Sequence, residues 1–440
     1  MGVATRRPGP NWATAALRAA GRRPGVAAIG AALLVLAGLG IGWATQLWSL
    51  PDVGDPFDVA AFEAHRVPDD RNAFIEYEPA ASLLRAARKG TVGLQRATYS
   101  EEWSKAGQPW RDLVAKARPA LDLWRVGTEK PDFLYHHPDG LSFNTLLPVS
   151  QELSQLAKLA VLEGSRLESE GDMAGAWGWY RAALRSSRHS GRHGFMMERL
   201  IAAGGMHPPA AKALTRWAAD PRVDAPLLRR ALAEVIAIDA LTAPRSDALK
   251  LDYLVFVHSL NDPDLLELLA YEKRPGDPTD WAEGLPVPKP VKKTVQAVRL
   301  VASDDRERSL RVIRLFLANW LAEVDRPLSR RVPLARTDPP IYAPDPTAPP
   351  AARALTPERL ARWHDSTLLA RPFVSFLTSG FAPIERERTR QAKLVVHLAD
   401  QLYRRDHGGP PPSPAALVGP YLQALPEGLD GPADLPGPRP

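Results

Sequence analysis

Two patterns of apolar positions divide this chain. From 26 to 48 the run VAAIGAALLVLAGLGIGWATQLW has no polar face, and no charged residue occurs between Pro24 and Pro51. At about 1.5 Å per residue the run makes about 35 Å of helix, enough to cross a hydrocarbon core of about 30 Å with some tilt. Beyond Pro51 apolar residues recur three and four apart, the spacing of half-buried helices. Leu153, Leu156, Ala157, Ala160, Gly164 and Leu167 share one helical face. Gly171 and Asp172 mark a turn, and Ala176, Tyr180 and Ala183 share a face of the helix that follows. Leu228, Ala231, Leu232 and Val235 form another stripe, with Asp224 as its cap and Pro226 in its first turn. Leu310, Ile313, Leu317 and Leu321 line a helix opened by Ser303, Asp304 and Asp305 and running to Val324. Asp304 with Arg308, and Glu307 with Arg311, stand one turn apart on its surface.

Weaker patterns predict helices over 58–65, 78–88, 101–116, 119–126 and 248–260. Asn261 or Asp262 caps a further one, Thr356 to Glu358 restarts helix, and a longer helix covers 383–406 before Gly408 stops it. Trp103, Trp110 and Trp124 read as aromatics that pack these helices together. No alternation of apolar and polar residues is long enough for a sheet. The expected fold is therefore mainly α: a single N-terminal transmembrane helix followed by an irregular multi-helix region with Pro-rich linkers. Its expected divisions are a basic cytoplasmic tail (1–24), an anchor (25–48), a mixed short-helix region (51–150), a helical-hairpin region (151–326), a Pro-rich linker (327–352), C-terminal helices (353–426) and a disordered tail (427–440). The linker assignment rests on eight prolines between Pro327 and Pro350.

Charge fixes the expected orientation. Arg6, Arg7, Arg18, Arg22 and Arg23 precede the apolar run with no acid among them, and Asp52, Asp55, Asp58 and Glu63 follow it. The positive-inside bias places the N-terminus in the cytoplasm and the bulk of the chain outside the inner membrane. A cleaved signal peptide is the competing reading; the long basic region and long apolar run favour an uncleaved anchor. Gly38 and Gly42 form a GxxxG pair of the kind that lets two spanning helices approach. The five tail arginines supply +5 of the formal +6, which leaves about +1 for the rest, so the basic balance is a topology signal and not a nucleic-acid footprint. With no cysteine among 440 residues, a disulfide framework, a thiolate metal site and a Cys nucleophile are all excluded.

Candidate chemistry is sparse. His136 and His137, with Asp132 and Asp139 nearby, are the residues from which a metal-assisted hydrolase would be built, although neighbours on an extended chain point opposite ways. His189 and His193 have the spacing of a helical metal pair, but Ser190 and Gly191 end the helix between them, and a solvated helix end is expected. Asp262, Pro263 and Asp264 read as a cap with first-turn charge. Glu101 with Glu102, and the run 385–390, read as exposed helix faces. No Gly-rich phosphate loop, G-x-S-x-G elbow or H-E-x-x-H motif occurs. No catalytic, cofactor-binding or metal residue is assigned, and no cofactor is expected.

Three resemblances are carried by particular residues. Gly164, Leu167, Ala176, Tyr180 and Ala183 resemble the small, large, small, aromatic, small pattern of a tetratricopeptide helical hairpin, with Ala160 where that pattern prefers Trp and Arg188 where it prefers Pro. Gly164 and Ala176 are small enough for the paired helices to touch, and Tyr180 fills the gap. Residues 407–426, with SPAALV at 413–418, YLQALP at 421–426 and then Asp430 and Gly431, resemble the turn and short helix found after a long helix in pseudopilins. The pseudopilin N-terminal signature is absent, so no secretion function is carried over. Over most of its length the layout resembles uncharacterised signal-anchored envelope proteins of planctomycete-type bacteria: the anchor, the segment from Asn72 to Ile75, the stretches LYHH at 134–137 and LSFNTLLP at 141–148, and the hairpin GDMAGAWGWYRAALRSSRHSGR. That resemblance implies no activity. The functional expectation is a membrane-anchored extracytoplasmic interaction scaffold with an unidentified protein partner. The alternatives are an envelope hydrolase acting on cell-wall or glycan material, and a secretion-apparatus accessory.

Overall fold

The computed structural model describes residues 50–260 except 90, 95–96, 143–144 and 146–147, together with 305–326, 330–331, 333–335, 341–342, 357–367 and 369–426. The expected anchor at 25–48, the Asp262 to Asp264 acidic motif and the tail at 427–440 lie outside the described residues. Among the described residues, no helix is long and apolar enough to cross a membrane.

Aspartate side chains cap three of the helix starts. Asp58 accepts the Ala61 N–H at 2.9 Å and opens α1, Val59–Glu63. Helix α2, Phe74–Lys89, begins four residues earlier than its apolar pattern indicates. Gly107 and Pro109 split the expected 101–116 helix into a 3-10 turn, Trp103–Lys105, and α3, Gln108–Lys116. Helix α4, Arg118–Thr128, carries Pro119 in its first turn, where no backbone donor is needed. Helices α5, Pro148–Glu170, and α6, Met173–His189, form the hairpin. Gly171 at their turn has φ +90°, a conformation that favours glycine, and Asp172 caps α6 through the Gly175 N–H at 2.8 Å.

The stretch from 195 to 219, to which the sequence reading assigns no element, contains Gly204, Gly205, Pro208 and Pro209, residue types that disfavour helix interiors. It is nevertheless helical: α7, Met196–Ile201, a π turn, Ala202–Met206, and α8, His207–Ala219. Both prolines sit in the first turn of α8, where proline is tolerated. Then come α9, Ala225–Asp239, capped by Asp224 through the Leu227 N–H at 2.9 Å, α10, Arg245–Ser259, and α11, Asp305–Trp320. Within the stretch read as linker, β1, Pro333–Ala335, pairs antiparallel with β2, Ile341–Tyr342, so the expectation of no sheet is corrected by one short ladder. Helices α12, Pro357–Ser366, and α13, Ala370–Ser379, lead into α14, Phe381–His407, which Gly408 ends at φ +73°.

Burial gathers these elements into two main cores. The first packs α2, α3, α4, α5, α6, α8 and α9 against the C-terminal part of α14, where Leu394, Leu398 and Leu402 point inward. The second packs α10 to α13 with Leu50, Met196 and Ala203, and takes Ile384 from the start of α14. One helix of about 40 Å thus serves both cores.

Two glycines let helices touch. A Cβ on Gly164 in α5 would lie 2.6 Å from the Tyr180 ring of α6, so the aromatic fills the space that glycine leaves. The Tyr180 hydroxyl donates to Glu168 at 2.6 Å, and Arg216 of α8 grips the same carboxylate with bonds of 2.8 and 3.1 Å. Gly127 in α4 meets Tyr77 of α2 in the same way, at 2.7 Å.

Candidate functional site

The residues singled out from the sequence converge only in part. Asn72 holds together two of the stretches that carry the envelope-protein resemblance: its amide donates to the Leu134 carbonyl at 3.0 Å and accepts from the N–H groups of Leu134 and Phe74 at 2.9 and 3.1 Å. This fixes the 132–137 segment across the start of α2. Asp132 accepts from Arg192 at 2.9 Å and lies 3.3 Å from His193 Nε2. Burial opposes its ionisation, but the His193 hydrogen bond, the Arg192 charge and the Phe133 N–H hold its pKa down at about 2. His193 has φ 52°, a rare conformation for a side chain branched beyond Cβ, and its ring lies 4.3 Å from that of His65. Burial and the neighbouring His193 lower the pKa of His65.

The remaining candidates diverge. His136 packs on Tyr135 and Phe195 with ring separations of 3.8 and 6.5 Å, while His137 is exposed. Asp139 pairs at the surface with Arg66, 3.4 Å away. His189 overturns the expectation of a solvated helix end: it is fully buried, with Nδ1 2.8 Å from the Tyr77 hydroxyl. Burial, reinforced by Arg185 and Arg192, lowers its pKa to about 3 and keeps it neutral. Glu101 is paired with Lys212 and Glu102 with Lys105. Within the run 385–390, Glu385 pairs with Arg245 and Arg331, and Glu387 is buried, so this is not simply an exposed face. Among the described residues, no three His, Asp or Glu side chains are placed to hold a metal ion.

Two buried polar clusters were not foreseen. In the first, Glu387 of α14 forms an ion pair with Arg188 of α6, which also reaches Asp239 of α9 at 3.1 Å. His207 Nε2 stands 3.9 Å from Glu387 and 3.0 Å from the Gln391 side-chain oxygen. Burial works against the Glu387 charge, yet Arg188 and His207 hold its pKa at about 2. Burial lowers that of His207 to about 4. In the second, Glu198 of α7 accepts from the Ser150 hydroxyl at 2.6 Å and the Phe195 N–H at 3.1 Å, while Asp252 of α10 accepts from the Met196 N–H at 2.9 Å. Burial without a cation raises both carboxyls to about 7. Glu198 reaches back to the N–H of the residue before α7, but Phe195 has no side-chain acceptor to complete a capping box, so the sequence carries no signature of this cluster.

A concavity lies elsewhere, between α9 and α14. It has a volume of about 670 Å³ and is closed along one edge by residues 420–426. Leu232, Ile236, Val395, Leu402 and Leu425 give it an apolar lining, with Arg229, Asp239 and Arg388 among its polar groups. Leu417 and Leu422 of the C-terminal element are buried in the first core, and the Tyr421 hydroxyl donates to Asp406 at 3.0 Å, which anchors that edge. Comparison with protein-family models, with curated proteins and with solved structures finds no match.

Proposed function

We propose that this chain is a single-pass protein of the bacterial inner membrane whose outer region is a helical interaction scaffold, and that the cleft between α9 and α14 seats an amphipathic helix of a protein partner. The observation that carries this reading is the apolar lining framed by two helices, the shape into which a partner helix lays its apolar face. Ile236 and Leu425 are exposed at its margin. Basic and acidic groups both border it, which suits a partner with a mixed-charge polar face more than a strongly charged one. The apolar run at 26–48 and the arginines before it support the tether and its orientation. The contact of Gly164 with Tyr180 supports the likeness of the α5–α6 pair to a tetratricopeptide hairpin.

Two experiments test the reading. Photo-crosslinking from position 236 of the full chain in native envelopes should capture a discrete partner, and Leu425→Glu should abolish the capture. Capture that survives the substitution overturns the docking assignment. Protease added to spheroplasts should trim the carboxyl-terminal bulk; protection of that bulk, or recovery of the intact chain in the aqueous extract, overturns the tether.

A further inference from the structure

We propose that the second core rests directly on the bilayer surface, with the exposed side of α11 against the lipid headgroups and no flexible linker between the spanning segment and the folded region. This rests on the reading of 26–48 as an uncleaved anchor, and adds to it the face that the membrane covers.

The apolar run ends at Trp48, whose indole favours the headgroup layer. Leu50, two residues on, is apolar and suited to extend the run into lipid. Instead it is 2% exposed and packs in the second core. Two residues reach at most about 7 Å, and the headgroup layer on one side of a bilayer is about 5–7 Å deep. Whatever grips Leu50 is therefore held at the headgroups.

The gripping residues come from far along the chain. Arg311 of α11 donates to the Leu50 carbonyl at 3.2 Å. Arg314, one turn on, donates to Asp52 at 3.1 Å, to Asp55 at 2.9 Å and to the Tyr253 hydroxyl at 3.0 Å. That hydroxyl, from α10, donates in turn to Asp55. Gly54, at φ +69°, turns its N–H back to Asp52 at 3.0 Å. The Phe57 ring closes the segment, 5.7 Å from the Tyr253 ring. Residues 50–57 thus form a strap fastened to two helices, and the strap begins where the anchor ends.

Charge on this face argues that the chain's own geometry seats it, not recognition of a particular lipid. Arg311 and Arg314 are matched by Glu307, Asp52 and Asp55, so no excess of positive charge is left to select anionic headgroups. A zwitterionic bilayer therefore suffices. A protein partner on the same face would first have to displace the lipid around the root of the anchor. The opposite end of the fold is marked by α5, which starts beside the second core, where Ser150 meets Glu198, and runs about 34 Å to the turn at Gly171.

The chain has no cysteine, so single substitutions carry a fluorophore without interference. Glu307→Cys labels α11, and Ser169→Cys labels the far end of α5, where the side chain is exposed. Each full chain is placed in phosphatidylcholine nanodiscs that include a nitroxide-headgroup lipid. The label at 307 should be quenched about twofold or more, and the label at 169 by less than about a fifth. Ten Gly and Ser residues inserted between Ser49 and Leu50 span about 17 Å and leave the strap intact; they should bring quenching at 307 down to the level at 169. Equal quenching at the two positions, or quenching at 307 that survives the insertion, overturns the proposal while the anchor stands. A chain that fails to co-purify with nanodiscs overturns the anchor and the proposal with it, and does so before any quenching is read.

Discussion

Glu198→Gln probes whether burial without a cation keeps a carboxyl protonated at the junction of the two cores. Folded, Glu198 titrates near 7; unfolded, it returns to about 4.5. Between those values the folded chain holds a proton that the unfolded chain has released. Its contribution is therefore complete below about 4.5, is lost as pH rises towards 7, and is level beyond. The displacement corresponds to about 3 kcal/mol. Asp252, raised from 3.8 to about 7, acts with the same sign. His189 and His207 act with the opposite sign, because burial lowers them from 6.5 to about 3 and about 4. The stability they leave intact is present above 6.5 and lost as pH falls through their folded values. From about pH 4.5 to 6.5 these falling and rising contributions oppose each other, with the lowered His65 and His397 adding to the rising side, so the pH profile of the parent protein masks the Glu198 contribution. The variant exposes one of them. Its amide oxygen still accepts the Phe195 N–H, but it cannot ionise. Urea unfolding of both full chains from about pH 4 to about pH 8.5 should show the variant gaining on the parent by about 1.4 kcal/mol per pH unit up to pH 7, for about 3 kcal/mol in all. A difference between the two that stays constant across that range refutes the reasoning.

Three further perturbations have defined outcomes. Gly164→Ala places a methyl group 2.6 Å from the buried Tyr180 ring and should destabilise by about 1–3 kcal/mol despite alanine's better helix propensity, read as a lower urea midpoint; a gain in stability would contradict the close contact. Asn72→Ala removes three hydrogen bonds at a buried site and should cost about 2–4 kcal/mol, with faster amide exchange at Phe74 and Leu134 as its local signature. Glu387→Gln strips the buried Arg188 of its closest counter-charge and should cost about 3–5 kcal/mol at neutral pH. Since the folded Glu387 pKa lies near 2, that cost should shrink as pH falls from about 4.5 towards 2. In a double-mutant cycle with Arg188→Met the two losses should be strongly non-additive.

What the sequence made legible follows from how local each signal is. Helix stripes depend on neighbours three and four residues away, so Leu228, Ala231, Leu232 and Val235 could be assigned to a buried face, and all four are buried. Asp224 could be assigned as a cap for the same reason. The Gly164 and Tyr180 contact crosses one tight turn and was legible from residue size alone. Signals failed where a local rule competed with packing. Gly204 to Pro209 carries the composition of a break, yet the prolines fall in the one turn of α8 where they cost nothing. His189 stands beside a helix-ending Ser and Gly and reads as solvated, yet Tyr77, 112 residues away, covers it.

The polar clusters show the same limit in a sharper form. Arg188 and Glu387 are 199 residues apart, and nothing in either neighbourhood distinguishes them from ordinary helix-surface charges. Their meeting is decided by α14, whose length carries it from the second core to the first. The helix therefore places one buried ion pair and one wall of the α9–α14 cleft from the same few turns: Glu387 faces inward, while Arg388, Gln391 and Val395 border the cleft. Loss of the Glu387 ion pair would disturb the seat of that wall. Arg188, which pairs with Glu387, also holds Asp239 of the cleft lining, so the buried charge cluster stands directly behind that wall.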